Sequence, residues 1–156
     1  MGIFGKFIAT AASAGLVAAA FTPAQAAASD YSSAEKLRKL DIMLMVTALR
    51  CRHGADGFQR DYDKFAVKHN VALQGAARTL QTSYNSKYGA KGAKRHLDKI
   101  SVSMANQYGQ GHPWLECAEL KQVTSDLAAD RDSHRLLAAA DQLLAKSRPA
   151  RFASSF

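Results

Sequence analysis

Apolar residues recur at steps of three and four along most of this chain, and this period limits its possible folds more than any other feature. The first segment with this period contains Leu37, Leu40, Leu44 and Cys51, and either Thr47 or Ala48 fills the step between the last two. No stretch of useful length alternates apolar and polar residues, as half-buried strands do. The sequence therefore predicts an all-α fold, a small bundle of four to five helices.

Capping and breaking residues mark the expected boundaries of the first helices. The first helix should start after Ser33, and it should form the buried centre of the bundle because apolar residues fill most of its circumference. Asp56 and Gln59 have the spacing of a capping box, which predicts the start of a second helix. Its apolar stripe continues for about thirty residues, and Asn70 and Gly75 are the positions at which it could bend or split.

Glycine, proline and a polar cluster divide the C-terminal half. Gly89 and Gly92 predict the end of the long stripe, and a third helix is expected to start near Ala93. Pro113 suits the first turn of a fourth helix. The polar residues 130–133 predict the cap of a short fifth helix.

The N-terminus has the features of a cleavable export signal. Lys6 precedes an apolar, alanine-rich run of about fifteen residues, fewer than the roughly twenty that span a bilayer. Residues 24–26 (AQA) then supply the small-x-small pattern that a signal peptidase recognises. We expect a periplasmic or secreted protein that is not transmembrane after processing. The expected divisions are a signal peptide over 1–26, a helical bundle domain over 27–145 and a flexible basic tail over 146–156.

Two cysteines in an exported domain favour one disulfide, because oxidising compartments promote disulfides and an even count leaves no thiol unpaired. A Cys51–Cys117 bond would bring two loops together. The residues gathered there, called the loop cluster below, are Arg52, His53, Asp56, Tyr108, His112, Trp114 and Glu116. Such residues can transfer protons or hold a metal ion. They also suit ordinary loops, in which Asp56 caps a helix, Pro113 starts one and Trp114 covers the disulfide.

A run of positive charge is the second candidate site. Lys91, Lys94, Arg95 and Lys99, called the basic strip below, share one outward face of the predicted third helix. The chain has 21 Lys and Arg against 13 Asp and Glu, and loss of Lys6 with the signal would leave 20 against 13. The strip either binds anions such as lipid headgroups, lipopolysaccharide or acidic polymers, or is a solvated helix face.

Several enzyme and cofactor signatures are missing from the sequence. It contains no C-x-x-C, no Glu-x-x-His pair of a di-metal bundle, no G-x-S-x-G, no Walker loop and no H-E-x-x-H. We therefore expect no metal, haem or other cofactor. Export would also separate the protein from nucleic acid, so no nucleic-acid partner is expected.

Three segments resemble parts of a known family, namely residues 40–47 (LDIMLMVT), 89–95 (GAKGAKR) and 104–114 (MANQYGQGHPW). That family consists of small exported bacterial helical proteins with two cysteines and no assigned function. Some members carry the name S-adenosyl-L-homocysteine hydrolase. Enzymes of that kind are several times longer and hold NAD on a Rossmann domain, whereas residues 109–111 (GQG) here follow a helix and lack the third glycine of the fingerprint. The resemblance implies an exported helical protein and assigns no catalytic residue.

These features support three hypotheses about function. The first is a non-enzymatic module that binds an anionic envelope surface, or another exported protein, through the loop cluster and the basic strip. The second is a small periplasmic enzyme centred on His53, His112 and Glu116, and the third is a structural or stress-protective role. A deep pocket joining the two histidines would favour the enzyme, and a flat basic face would favour binding.

Overall fold

The computed structural model describes residues 23–130 and 132–147, and these residues form five α-helices and no strand. The helices are α1 (Pro23–Cys51), α2 (Gln59–Lys68), α3 (Asn70–Tyr108), α4 (Cys117–Ala129) and α5 (Ser133–Leu143). The predicted all-α bundle with one disulfide is confirmed. Residues 1–22 of the predicted signal and 148–156 of the predicted tail lie outside the described residues, so cleavage and the flexible tail stay predictions.

Helix α1 is the centre of the bundle, as its apolar circumference predicted. It contacts all four of the other helices, and Leu40, Met43 and Leu44 on it are fully buried. The predicted start after Ser33 is wrong, because α1 extends back to Pro23. The alanine-rich residues 24–28 are strong helix formers, and proline is well tolerated at the first helical position.

The long apolar stripe is divided at His69, next to one of the two predicted break points. Helix α2 ends at Lys68 and α3 begins at Asn70, whereas Gly75 lies inside α3. The His69 Nε2–H donates to the carbonyl of Leu127 over 2.8 Å. His69 is therefore a hydrogen-bonded core residue, since its side chain is also buried.

Helix α2 starts without the predicted capping box. Its N-cap is Phe58, which provides no side-chain hydrogen bond, and Asp56 is exposed in the preceding loop. The Phe58 carbonyl accepts the backbone N–H groups of Asp61 and Tyr62 over 3.0 Å. The Phe58 side chain is fully buried, so core packing of this ring, rather than a polar cap, sets the start of α2.

Helix α3 folds back on itself at Gly89. This glycine has φ 69° and ψ 172°, a combination that essentially only glycine adopts. The rings of Tyr84 and His96 are 5.1 Å apart, although twelve residues of straight helix would rise about 18 Å. The break at Gly89 was predicted, but the start at Ala93 was not correct, because the helix resumes directly after Gly89 and includes Gly92. The two halves of α3, residues 70–88 and 90–108, therefore form a hairpin.

The Cys51–Cys117 disulfide joins the last residue of α1 to the first residue of α4, with the two Cα atoms 5.8 Å apart. The predicted helix start at Pro113 is wrong, because α4 begins at Cys117. At this start the Glu116 backbone N–H donates to the Glu119 carboxylate over 3.0 Å. This bond satisfies a donor at the helix N-terminus and marks where the helix begins.

Helix α5 has the polar N-terminus that the sequence predicted. The Asp132 carboxylate accepts the backbone N–H of His134 over 2.8 Å, and the Asp130 carboxylate accepts the N–H of Asp132 over 2.9 Å. Leu136, Ala140 and Leu143 turn inward and are fully or almost fully buried. The helix therefore closes one side of the core around α1.

Candidate functional site

One part of the loop cluster is packed against the end of α5. The His112 Nε2–H donates to the Leu143 carbonyl over 2.8 Å, and the Trp114 indole N–H donates to the Ala145 carbonyl over 3.0 Å. The His112 ring stacks on buried Tyr108 at 5.5 Å and meets Trp114 edge-on at 4.7 Å. These contacts tie the loop between α3 and α4 to the C-terminus of α5.

These surroundings favour the neutral form of His112. A carbonyl can only accept a hydrogen bond, so Nε2 carries the proton, and Nδ1 lies 3.5 Å from the backbone nitrogen of Trp114 as an acceptor. Burial lowers the pKa of His112, although its bond to Leu143 and the charge of Glu119 act in the opposite direction. The imidazole therefore favours a structural contact over proton uptake near neutral pH.

The other part of the loop cluster lies in the loop after α1. The Arg52 Nε–H donates to His53 Nε2 over 2.8 Å, and both side chains are exposed, as is Asp56. The structure thus places His53 against Arg52 and His112 against α5. Glu116 lies at the N-cap of α4. An enzyme centred on His53, His112 and Glu116 would need their side chains to meet at one substrate, and the described contacts engage each of them elsewhere.

The two parts of the loop cluster also line different clefts of the described chain. Tyr108 lines an open cleft of about 410 Å³ with Lys36, Lys39 and Lys146, between α1, α3 and α5. Arg52 lines a different cleft of about 450 Å³ beside α2 and α4. The loop cluster is therefore distributed over separate surfaces.

The basic strip is an exposed surface of the second half of α3. Lys91, Lys94, Arg95 and Lys99 are all exposed, while Ala93 and Met104 on the opposite face are buried. Within residues 23–130 and 132–147, no carboxylate forms an ion pair with any of the four. Asp98 lies between them in sequence and is also exposed. The prediction that these residues share an outward helix face is confirmed.

An aromatic cluster at the α3 hairpin was not predicted. The His96 ring stacks on Tyr88 at 4.0 Å and on Tyr84 at 5.1 Å. Tyr31 of α1 meets Tyr84 edge-on at 5.9 Å, and their hydroxyl groups share a 2.9 Å hydrogen bond. The four-residue spacing of Tyr84 and Tyr88 is visible in the sequence, but His96 joins them only because the chain reverses at Gly89.

A polar network connects three helices beside the core. Tyr62 of α2 donates to Asp41 of α1 over 3.0 Å, Arg38 lies 3.5 Å from the same carboxylate, and Arg38 also donates to Ser101 of α3 over 3.3 Å. Burial raises the pKa of Asp41, although the Tyr62 hydrogen bond and the Arg38 charge lower it in part. Burial and the nearby Asp41 raise the pKa of Tyr62. The Tyr62 hydroxyl therefore remains the donor toward Asp41, and the network links helix positions.

Two properties of the described residues bear on the class of protein. None of the helices in the described part of the chain has both the length and the apolar character needed to cross a bilayer. Nor do three or more His, Cys, Asp or Glu side chains come together there in a way that could hold a metal ion. The fold and surface thus define a disulfide-linked helical bundle with an exposed basic helix face.

Comparisons with family models, curated proteins and solved structures found no match for this chain.

Proposed function

We propose that this chain is an exported, non-enzymatic module that binds an anionic envelope surface through the basic strip. The observation that carries the proposal is the set of four exposed cations on one face of a helix, without an ion-pair partner among the described residues. A cation with a carboxylate partner would have to lose that contact before it met an anionic surface. Unpaired side chains carry no such cost.

The surroundings of the strip also suit a lipid–water interface. Tyr88 precedes the strip and is 42% exposed, and Val102 follows it and is 59% exposed. Lys87 lies with its Nζ 5.1 Å from the centre of the Tyr88 ring. Tyrosine and lysine together are common at membrane interfaces, where the ring contacts the boundary region and the amine contacts phosphate groups. Without Lys6, which would leave with the signal, the chain keeps 20 Lys and Arg against 13 Asp and Glu, and this positive excess favours the same approach.

The decisive variant replaces Lys91, Lys94, Arg95 and Lys99 with Gln. Each cation near an anionic membrane contributes about 1 kcal/mol, so the four replacements should weaken binding on the order of a hundredfold to a thousandfold. Binding is measured by cosedimentation with vesicles of phosphatidylglycerol and phosphatidylcholine, and in parallel with lipopolysaccharide. Affinity should also fall as salt is raised, because exposed charges are screened beyond about 10 Å at 0.1 M.

A matched control removes the same charge elsewhere. Arg50, Lys68, Arg78 and Lys146 lie outside the strip, and none forms an ion pair with a described residue. Their replacement with Gln should leave most of the binding intact. Equal losses in the two variants would show that only net charge matters, and a wild-type protein that binds neither surface would refute the proposal.

A further inference from the structure

A second concentration of positive charge lies at the opposite end of the bundle from the α3 hairpin. It surrounds the open cleft of about 450 Å³ between the loop after α1, the start of α2 and α4. Four cations from three separate segments line it, namely Arg52 from the loop after α1, Arg60 and Lys64 from α2, and Lys121 from α4. The lining contains one carboxylate, Asp61, which lies 3.4 Å from Lys64. Three positive charges therefore remain without a carboxylate in the cleft itself.

The disulfide and the loop hold this cleft in place. Cys51–Cys117 ties the end of α1, just before Arg52, to the start of α4, one turn before Lys121. The loop between α1 and α2 closes on itself through hydrogen bonds from Gly54 to the Cys51 carbonyl and from Gly57 to the Gly54 carbonyl, both 3.1 Å long. A Cβ atom at Gly57 would lie only 3.3 Å from the Arg52 carbonyl oxygen. The backbone that carries Arg52 is therefore compact.

The side chains around the cleft have donors available for an oxyanion. Arg52 uses its Nε–H on His53 Nε2, which orients the guanidinium and leaves its two terminal NH₂ groups for a ligand. A guanidinium fork matches the geometry of phosphate oxygens, and lysine adds a mobile point charge. The first turn of α2 also lines the cleft, and its N-cap Phe58 provides no side-chain acceptor. The positive end of this helix therefore adds to the field of the four cations.

The cleft is separate from the basic strip. Tyr31 of α1 contacts Tyr84 at the hairpin end of the bundle, and Cys51 of α1 forms the disulfide at the other end. The twenty residues between Tyr31 and Cys51 correspond to about 30 Å along a helix axis. One molecule thus has two cationic surfaces at opposite ends.

We infer that the cleft lined by Arg52, Arg60, Lys64 and Lys121 binds a phosphoryl group. This site goes beyond the proposed binding through the basic strip and does not depend on it. The phosphoryl group can belong to a soluble ligand or to a lipid headgroup. In the second case, a protein with both surfaces would link two anionic vesicles.

The test uses inorganic pyrophosphate as the probe and isothermal titration calorimetry as the measurement. The wild-type protein should bind the probe, and the Arg60→Gln/Lys121→Gln variant should bind it about tenfold more weakly for each cation removed. An Arg78→Gln/Lys146→Gln variant loses the same charge outside the cleft and should bind like the wild type. Circular dichroism spectra and melting curves of both variants check that the fold is unchanged. The inference is overturned if the wild type does not bind the probe or if the two variants bind it equally well.

A second measurement distinguishes the two sources of the phosphoryl group. Dynamic light scattering reports whether the protein clusters vesicles that contain phosphatidylglycerol. Clustering that disappears in the Arg60→Gln/Lys121→Gln variant, while this variant still cosediments with vesicles, supports a headgroup at the cleft. Pyrophosphate binding without clustering, by wild-type protein that does cosediment with the vesicles, supports a soluble phosphoryl ligand. If the basic-strip variant loses vesicle binding and the Arg60→Gln/Lys121→Gln variant keeps it, the proposed function is supported. This result does not depend on whether the cleft binds pyrophosphate.

Discussion

The environment of His112 couples its protonation to folding. Its Nε2–H donates to the Leu143 carbonyl, and burial lowers its pKa from the usual value of 6.5. Protonation is therefore more costly in the folded protein than in the unfolded chain. The stabilisation that results is fully present above the pKa that His112 has in the unfolded chain. It is lost as the pH falls from that value toward the lower pKa of His112 in the folded protein.

We predict that His112→Gln reduces this pH dependence. A glutamine amide can donate to the Leu143 carbonyl but does not titrate near neutral pH. Urea unfolding at about pH 7.5 and about pH 5 should show that the wild type loses more stability on acidification than the variant does. At the higher pH the variant should be less stable by about 1 kcal/mol, since it loses the ring contacts with Tyr108 and Trp114. Parallel pH profiles for the two proteins would contradict this account of His112.

At the scale of the helix, α3 depends on the conformation of one glycine. Gly89 has a positive φ of 69° and lies where the chain reverses. Gly92 lies one turn later, and a Cβ atom there would lie 2.5 Å from the Cβ of Tyr88. The reversal brings Tyr84 and Tyr88 against His96 and places the basic strip on the returning half of α3. The geometry of the strip relative to the core therefore depends on this turn.

We predict that Gly89→Ala lowers the free energy of unfolding by about 1–3 kcal/mol, because a residue with a Cβ is strained in this region of φ and ψ. The matched control is Gly75→Ala, also in α3. Gly75 is helical, and a Cβ atom there would meet nothing within 4 Å. Alanine at that position should be neutral or should stabilise the protein by up to about 1 kcal/mol. Thermal melts followed by circular dichroism measure both effects, and a stabilising Gly89→Ala would contradict the positive φ of this residue.

The disulfide acts on the whole molecule. It closes a loop over a sequence separation of 66 residues and joins α1, the helix at the centre of the core, to α4. Such a link reduces the conformational freedom of the unfolded chain more strongly as the loop grows longer. It also fixes the segments that carry Arg52 and Lys121 near each other.

We predict that the Cys51→Ser/Cys117→Ser variant is less stable than the oxidised protein by up to about 4 kcal/mol, the value that chain entropy gives for a loop of this length. The melting temperature should fall accordingly. Wild-type protein treated with a reductant should melt like the variant, and the variant itself should not respond to the reductant. A melting temperature that reduction leaves unchanged would show that the bond does not constrain the chain.

Local features of the chain were largely predictable because they depend on neighbouring residues. The three-to-four period predicted the helices, and the outward placement of Lys91 and Lys99 followed from the same period. Gly89 was recognised as a break because glycine alone tolerates such a conformation at low cost. With two cysteines in the chain, one pairing was possible, so Cys51–Cys117 required no knowledge of the fold. Helix starts were predicted less well, as Pro113 and Asp56 show, because packing competes with local capping.

The tertiary structure alone decided which distant residues meet. Periodicity shows that a side chain points inward or outward, but it does not give the direction in which one helix crosses another. The sequence therefore suggested one loop cluster around the disulfide, whereas the structure places His112 against α5 and His53 against Arg52. The convergence of Arg60 and Lys121 on one cleft depends on how α2 packs against α4, and no local pattern encodes that contact.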